Sequence, residues 1–158
     1  MARLQLSVKG IDWAASLVAR QQHEQMEGEW SAHQHLAHLL AVERQNFQPR
    51  IRRIMAEERP VLDRWDNDAF MASDYSTQPG IEDLAADFMA ERATTVGLFN
   101  GLSPEAWHRI GVWPDGRIFD LAWLAEKVLW HALDHFAFLL DLHGELEPRQ
   151  APRWAAGS

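Results

Sequence analysis

Hydrophobic residues recur at intervals of three and four along four segments of this chain, which is the period of a helix with one buried face. Ser31 stands at the start of the second segment as an N-cap residue type, and Gly144 stands at the end of the fourth. Neither a period-two alternation nor a succession of strand and helix patterns is evident. The pattern therefore predicts an all-α bundle, with helices at about residues 11–27, 31–58, 81–101 and 120–143.

The connections between these segments differ in length. Residues 59–80 separate the second and third predicted helices, and that length permits a crossover instead of a tight antiparallel turn. Residues 102–119 precede the last helix and contain the tight-turn sequence Pro114-Asp115-Gly116. Pro49 lies inside the second predicted helix, where it should kink or interrupt the helix.

Composition narrows the class of protein. The 158 residues suit one domain, expected over residues 1–147 and followed by a short frayed tail at 148–158. The net charge of −8 argues against a nucleic-acid partner. Acidic residues soon follow the basic cluster of Arg50, Arg52 and Arg53, which is therefore interpreted as a solvated helix end. Without a signal-peptide pattern or a long apolar run, we expect a cytoplasmic protein with no membrane partner.

Two histidines spaced four residues apart lie in the most apolar predicted helix. His131 and His135 then project from one helix face, so that two imidazoles can point at one spot. Buried imidazole nitrogens need partners, and a divalent metal ion is one such partner. Because the chain has no cysteine, any metal must be held by histidine, aspartate or glutamate.

The second predicted helix offers candidates for a third ligand. It carries His33, His35, His38 and Glu43. At about a hundred degrees per residue, Glu43 falls on the apolar stripe of this helix, and His38 falls nearly opposite that stripe. Periodicity favours Glu43, yet a helix that buries two faces would also present His38 to the interior. The residues alone leave both ligands open.

Three pieces of the sequence together resemble the DinB-like superfamily. The segment from Trp30 to Glu43 is similar to its helix-two signature, which is Trp-Ser/Thr, a spacer and His-Leu-x-x-x-Glu. Residues 102–117 resemble the stretch before the last helix of that family, and His131 with His135 match its closing His-x-x-x-His. The order and separation of the pieces agree over residues 11–145. The resemblance implies a four-helix bundle with a long crossover between helices two and three.

The family register also implies a site. By position, His38, His131 and His135 match the three histidines with which members bind a divalent metal such as zinc or nickel. Glu43 is then a neighbouring carboxylate and the candidate general base, with His35 as the alternative. The resemblance implies a homodimeric enzyme that acts on a small molecule, either as a hydrolase or as an S-transferase with a low-molecular-weight thiol as co-substrate. The alternative is a non-catalytic bundle that binds a small molecule or a partner, related to stress or detoxification.

Overall fold

Four helical segments pack against one another, which confirms the predicted four-helix bundle with a long crossover after its second helix. The computed structural model describes residues 1–146, and the frayed tail predicted at residues 148–158 lies outside them. None of the helices in the described part of the chain has the length and apolar content needed to cross a membrane. The elements in chain order are α1 (Ala2–Leu17), α2 (Ala32–Val42), α3 (Gln48–Ala56), α4 (Asn67–Ser73), α5 (Ile81–Asn100), β1 (Ile110–Val112), β2 (Ile118–Asp120) and α6 (Leu121–Leu146).

The first helix begins and ends earlier than predicted. A 3-10 turn at Ala19–Gln21 follows α1, so the predicted extension to residue 27 is wrong. Gly10 does not precede the helix but lies inside it, where the ring of Phe136 covers the glycine and a Cβ would lie 3.3 Å from that ring. Gly144 likewise lies inside α6 and does not end it. Both glycines are therefore poor markers of helix boundaries in this chain.

Ser31 caps the second bundle segment, as predicted. Its Oγ accepts a hydrogen bond from the backbone N–H of Gln34 (3.2 Å), and the Gln34 side chain accepts one from the Ser31 N–H (2.8 Å). α2 continues through a π-helical stretch, Glu43–Phe47, into α3. Pro49 lies in the first turn of α3 and has no N–H to donate, so the regular α-helical hydrogen bonding is interrupted just before it.

A two-stranded antiparallel hairpin, which no period-two pattern indicated, precedes α6. The turn predicted at Pro114-Asp115-Gly116 connects its strands. The crossover is bonded to the hairpin, because the Leu62 N–H donates to the Val112 carbonyl (2.8 Å) and the Val112 N–H donates to the Pro60 carbonyl (2.9 Å). Strands of three residues are too short to show a period-two pattern, which explains why the sequence did not indicate them.

A layer of polar residues divides the interior into two apolar clusters. One cluster contains the C-terminal halves of α1 and α6, and the other contains α3, the hairpin and the N-terminal half of α6. Each bundle segment passes from one cluster to the other close to a polar residue: Ser7 on α1, Glu43 after α2, Arg92 on α5 and His131 on α6. The predicted site residues therefore lie at the boundary between the two apolar clusters.

A methyl group at Gly111 should destabilise the hairpin. Gly111 lies opposite Phe119, and an added Cβ would lie 2.8 Å from Leu62 and 2.9 Å from Phe119. Overpacking of this kind lowers the free energy of unfolding by about 1–3 kcal/mol, which urea denaturation of Gly111→Ala would measure. Gly97→Ala is the matched control, because a Cβ there meets nothing within 4 Å and alanine suits a helix interior. Equal stability of the two variants would contradict this packing.

Candidate metal centre

Three imidazole rings from two helices meet between the apolar clusters. His38 lies on α2, and His131 and His135 lie one turn apart on α6. Each ring offers one nitrogen, and these three atoms all lie within 4.8 Å of one another. The Nε2 atoms of His38 and His131 are 2.9 Å apart. We call these three residues the histidine cluster.

His38 is buried although its angle on the helix lies opposite the apolar stripe. Every residue of α2 from Leu36 to Val42 is buried, because α5 and α6 both pack against this helix. A helix covered on several sides has no broad solvent face, so its period does not discriminate between candidate ligands. His38 and Glu43 are both in the interior, but they have different neighbours.

Two rings of the histidine cluster have a buried nitrogen without a hydrogen-bond partner. The Nδ1 atoms of His38 and His131 are buried and have no hydrogen-bond partner within residues 1–146. His33 lies on the same helix as His38, but both of its ring nitrogens have hydrogen-bond partners. Its Nε2 donates to the Pro79 carbonyl (2.8 Å), and its Nδ1 accepts from the Tyr75 hydroxyl (2.9 Å). Buried polar atoms without partners are uncommon, so these two rings, unlike His33, are not held by hydrogen bonds on both nitrogens.

Burial keeps the cluster neutral, which is the form of imidazole that binds a cation. It lowers the pKa of His38 to about 4 and is the main cause that lowers the pKa of His131 to about 3. Burial, followed by the neighbouring histidines, lowers the pKa of His135 to about 2. Nitrogens that share a zinc ion at about 2.1 Å lie about 3.4 Å apart in tetrahedral coordination. The separations of 2.9 Å and up to 4.8 Å bracket that value, so the residues present fit one divalent ion.

A fourth histidine, His35, contacts the ring of His135. Their Nδ1 atoms are 2.6 Å apart, so one of them carries the hydrogen and donates it to the other. With His135 as the donor, its Nε2 lone pair is free for a metal, which is the usual arrangement of metal-binding histidines. His35 was predicted from the sequence only as an alternative base. The signal for this contact is its spacing of three residues from His38, which puts both on one side of α2.

Glu43, the predicted general base, is held in a buried ion pair. The Arg92 Nε donates to one carboxylate oxygen (2.6 Å), and the Thr95 hydroxyl donates to the other (2.5 Å). The side chains of Glu43 and Arg92 are 1% and 2% exposed. A charge-assisted hydrogen bond from Arg92 therefore occupies one carboxylate oxygen, and a neutral hydrogen bond from Thr95 occupies the other. The role of Glu43 as a base stays a prediction, and its contacts favour a structural role.

A cavity of about 390 Å³ opens beside the histidine cluster. His38 and His131 form part of its wall, and Arg50 of α3 faces it as well. The interpretation of Arg50 as part of a solvated helix end is wrong, because this residue is only 9% exposed. The ring of Trp113, from the hairpin that the pattern did not predict, covers its guanidinium at 4.6 Å.

The comparisons with known proteins agree with the fold. The model of the DinB superfamily matches residues 12–139, so the chain belongs to that superfamily. A solved structure, YfiT from Bacillus subtilis, is described as a probable metal-dependent hydrolase with an unusual four-helix bundle topology. It superposes with a TM-score of 0.82 at 19% identity, over 92% of this chain and 84% of that chain. No curated protein matches the sequence.

The metal-free protein should lose stability as the pH falls below about 6.5, the ordinary pKa of histidine. The pKa values of His35, His38, His131 and His135 lie at about 4, 4, 3 and 2 in the folded state, so the unfolded chain binds protons that the folded chain does not. The free energy of unfolding therefore decreases as the pH falls, by up to about 1.4 kcal/mol per pH unit for each such histidine. Urea denaturation in a chelator at pH 7.5 and pH 5.5 would measure this, and equal stability at both values would contradict the burial of neutral rings.

Glu43→Gln should destabilise the bundle strongly. The substitution leaves the Arg92 cation buried without its counter-charge, which lowers the free energy of unfolding by about 3–5 kcal/mol. Glu57→Gln, which breaks the surface pair of Glu57 with Arg53, is the control and should change stability little. Chemical denaturation of both variants is the measurement. If Glu43→Gln kept its stability and lost only turnover, the base would be supported and the structural role rejected.

Proposed function

We propose that this protein is a metal-dependent enzyme that acts on a small molecule, with a hydrolase as the first candidate. A divalent ion, zinc or nickel, would be held by His38, His131 and His135. The observation that supports this proposal is the convergence of three neutral imidazole nitrogens within 4.8 Å beside a cavity. The description of YfiT, whose fold this chain shares, as a probable metal-dependent hydrolase points the same way.

The protein would set the position and the protonation state of the histidine rings for this chemistry. A divalent cation held by three histidines supplies Lewis-acid chemistry, because it lowers the pKa of a water or thiol and polarises an electrophilic group. The protein holds the three rings neutral by burying them, and the contact with His35 orients His135. The neighbouring cavity, at about 390 Å³, has room for a small-molecule substrate only.

A thiol S-transferase is the second candidate. The chain contains no cysteine, so sulfur chemistry at this site requires a low-molecular-weight thiol as co-substrate. The third candidate is a non-catalytic bundle that binds a small molecule or a partner in stress or detoxification. The cytoplasmic location and the homodimer stay predictions. The exposed indole rings of Trp13 on α1 and Trp130 on α6 are surfaces available to a second copy.

Substitution of a cluster histidine should remove the metal. We expect about one divalent ion per chain in the wild type and less than about a tenth of that in His131→Ala, measured by elemental mass spectrometry after gel filtration. His35→Gln should weaken metal affinity about tenfold to a hundredfold without abolishing binding. His108→Ala, at an exposed histidine before the hairpin, is the matched control and should keep the metal. Equal metal content in the wild type and His131→Ala would reject the site.

Turnover by the metal-loaded protein separates the three candidates. Hydrolysis of p-nitrophenyl acetate that is lost in His131→Ala supports the hydrolase. Accelerated coupling of monochlorobimane to added cysteine, lost in the same variant, supports the transferase. A metal-loaded protein that accelerates neither reaction supports the non-catalytic bundle.

A further inference from the structure

The cavity beside the histidine cluster concentrates positive charge. Arg50, Arg64, Arg117 and Lys127 all line it, and no aspartate or glutamate of the described chain does. The protein as a whole carries a net charge of −8, so the positive charge of this cavity is opposite in sign to the charge of the whole chain. Cavity walls of low dielectric constant focus the field of such charges on a bound ligand.

The cations differ in how far they are already neutralised. Arg64 and Arg117 share one exposed carboxylate, Asp115, at 2.8 Å each. Arg50 and Lys127 form no ion pair with any carboxylate of residues 1–146. Arg50 and Lys127 are therefore the two cations of the cavity whose charge no ion pair neutralises, and they can interact with an anionic ligand.

Contacts with Trp113 and Asp63 fix the position of the Arg50 guanidinium in the cavity wall. The guanidinium lies over the Trp113 ring at 4.6 Å and donates one hydrogen bond, to the Asp63 carbonyl. Burial lowers the pKa of Arg50 to about 10, so it remains charged at neutral pH. The charge of the nearby Asp63 partly offsets this effect of burial, but the two side chains form no ion pair. The remaining N–H groups of Arg50 can bind a carboxylate or phosphate in the bidentate manner that suits arginine.

Aromatic rings form a large part of the remaining wall. Phe47, Trp65 and Trp123 add aromatic surface to the cavity, and its volume of about 390 Å³ is near the lower end of the range for ligand pockets. We propose that the cavity binds a small anion with a flat apolar body, whose carboxylate or phosphate is bound by Arg50 and Lys127 beside the histidine cluster. This inference names a substrate class, and it rests on the proposed function only in treating the bound anion as the substrate.

Binding of three matched probes tests this inference without relying on turnover. The probes are 4-fluorobenzoate, 4-fluorobenzylphosphonate and the neutral 4-fluorobenzyl alcohol, titrated with the purified protein and followed by fluorine NMR. We expect at least one anion to bind about tenfold or more tightly than the alcohol, and the tighter anion identifies the headgroup. Arg50→Gln and Lys127→Gln should each weaken anion binding several-fold or more and leave the alcohol unaffected. Lys127 is exposed, so that variant is informative even if Arg50→Gln does not fold.

The controls separate this inference from the proposed function. Arg52→Gln removes the same charge from an exposed position on α3 outside the cavity and should leave all three affinities unchanged. Repeating the titration after chelation distinguishes anion binding by the cations from coordination to a metal. Equal binding of anions and alcohol, or unchanged anion binding in both cavity variants, would overturn the inference while the metal content still supports the enzyme. Anion binding to a protein that takes up no metal would uphold the cavity and reject the proposed function.

Discussion

The arrangement of the four helices depends on one buried guanidinium. Arg92 of α5 donates to Glu43 between α2 and α3 (2.6 Å), to the Ser7 hydroxyl of α1 (3.3 Å) and to the Val128 carbonyl of α6 (3.4 Å). One side chain of α5 therefore bonds to the three other bundle segments. Removing two charges from water costs several kcal/mol per ion, so such a pair contributes less to net stability than its contacts suggest. What it fixes is the height of each helix relative to the others, because any slip along the bundle would leave a buried charge unpaired.

That constraint also sets the geometry of the histidine cluster. Val128, which accepts from Arg92, lies one turn before His131 on α6, and Glu43 follows His38 by five residues. The segments that carry the histidine cluster are therefore among those that Arg92 connects. The positive charge of Arg92 also adds to burial and to His38 in lowering the pKa of His131. One interaction thus helps to bring the rings together and to keep the His131 ring neutral.

The features that the sequence predicts are those carried by local period and spacing. The bundle, the Ser31 cap and the pairing of His131 with His135 on one face each follow from residues close together along the chain. The contact of His38 with α6 is non-local, and only the family register selected it, because a helix buried on all sides shows no preferred face. The burial of Arg50 could not be predicted from the sequence, because it too depends on a non-local contact. Its burial depends on Trp113, in a hairpin whose strands are too short to show a pattern.

The cavity and the histidine cluster also constrain each other electrostatically. A divalent ion at the cluster would add positive charge next to a cavity that already holds the unpaired cations of Arg50 and Lys127. These charges repel, and an anion bound between them relieves the repulsion on both sides. By thermodynamic linkage, a ligand that stabilises the metal site is itself bound more tightly when the metal is present. The neutral rings of the cluster and the charged wall of the cavity would therefore bind a metal ion and an anion more favourably together than singly, although the protein carries a net charge of −8.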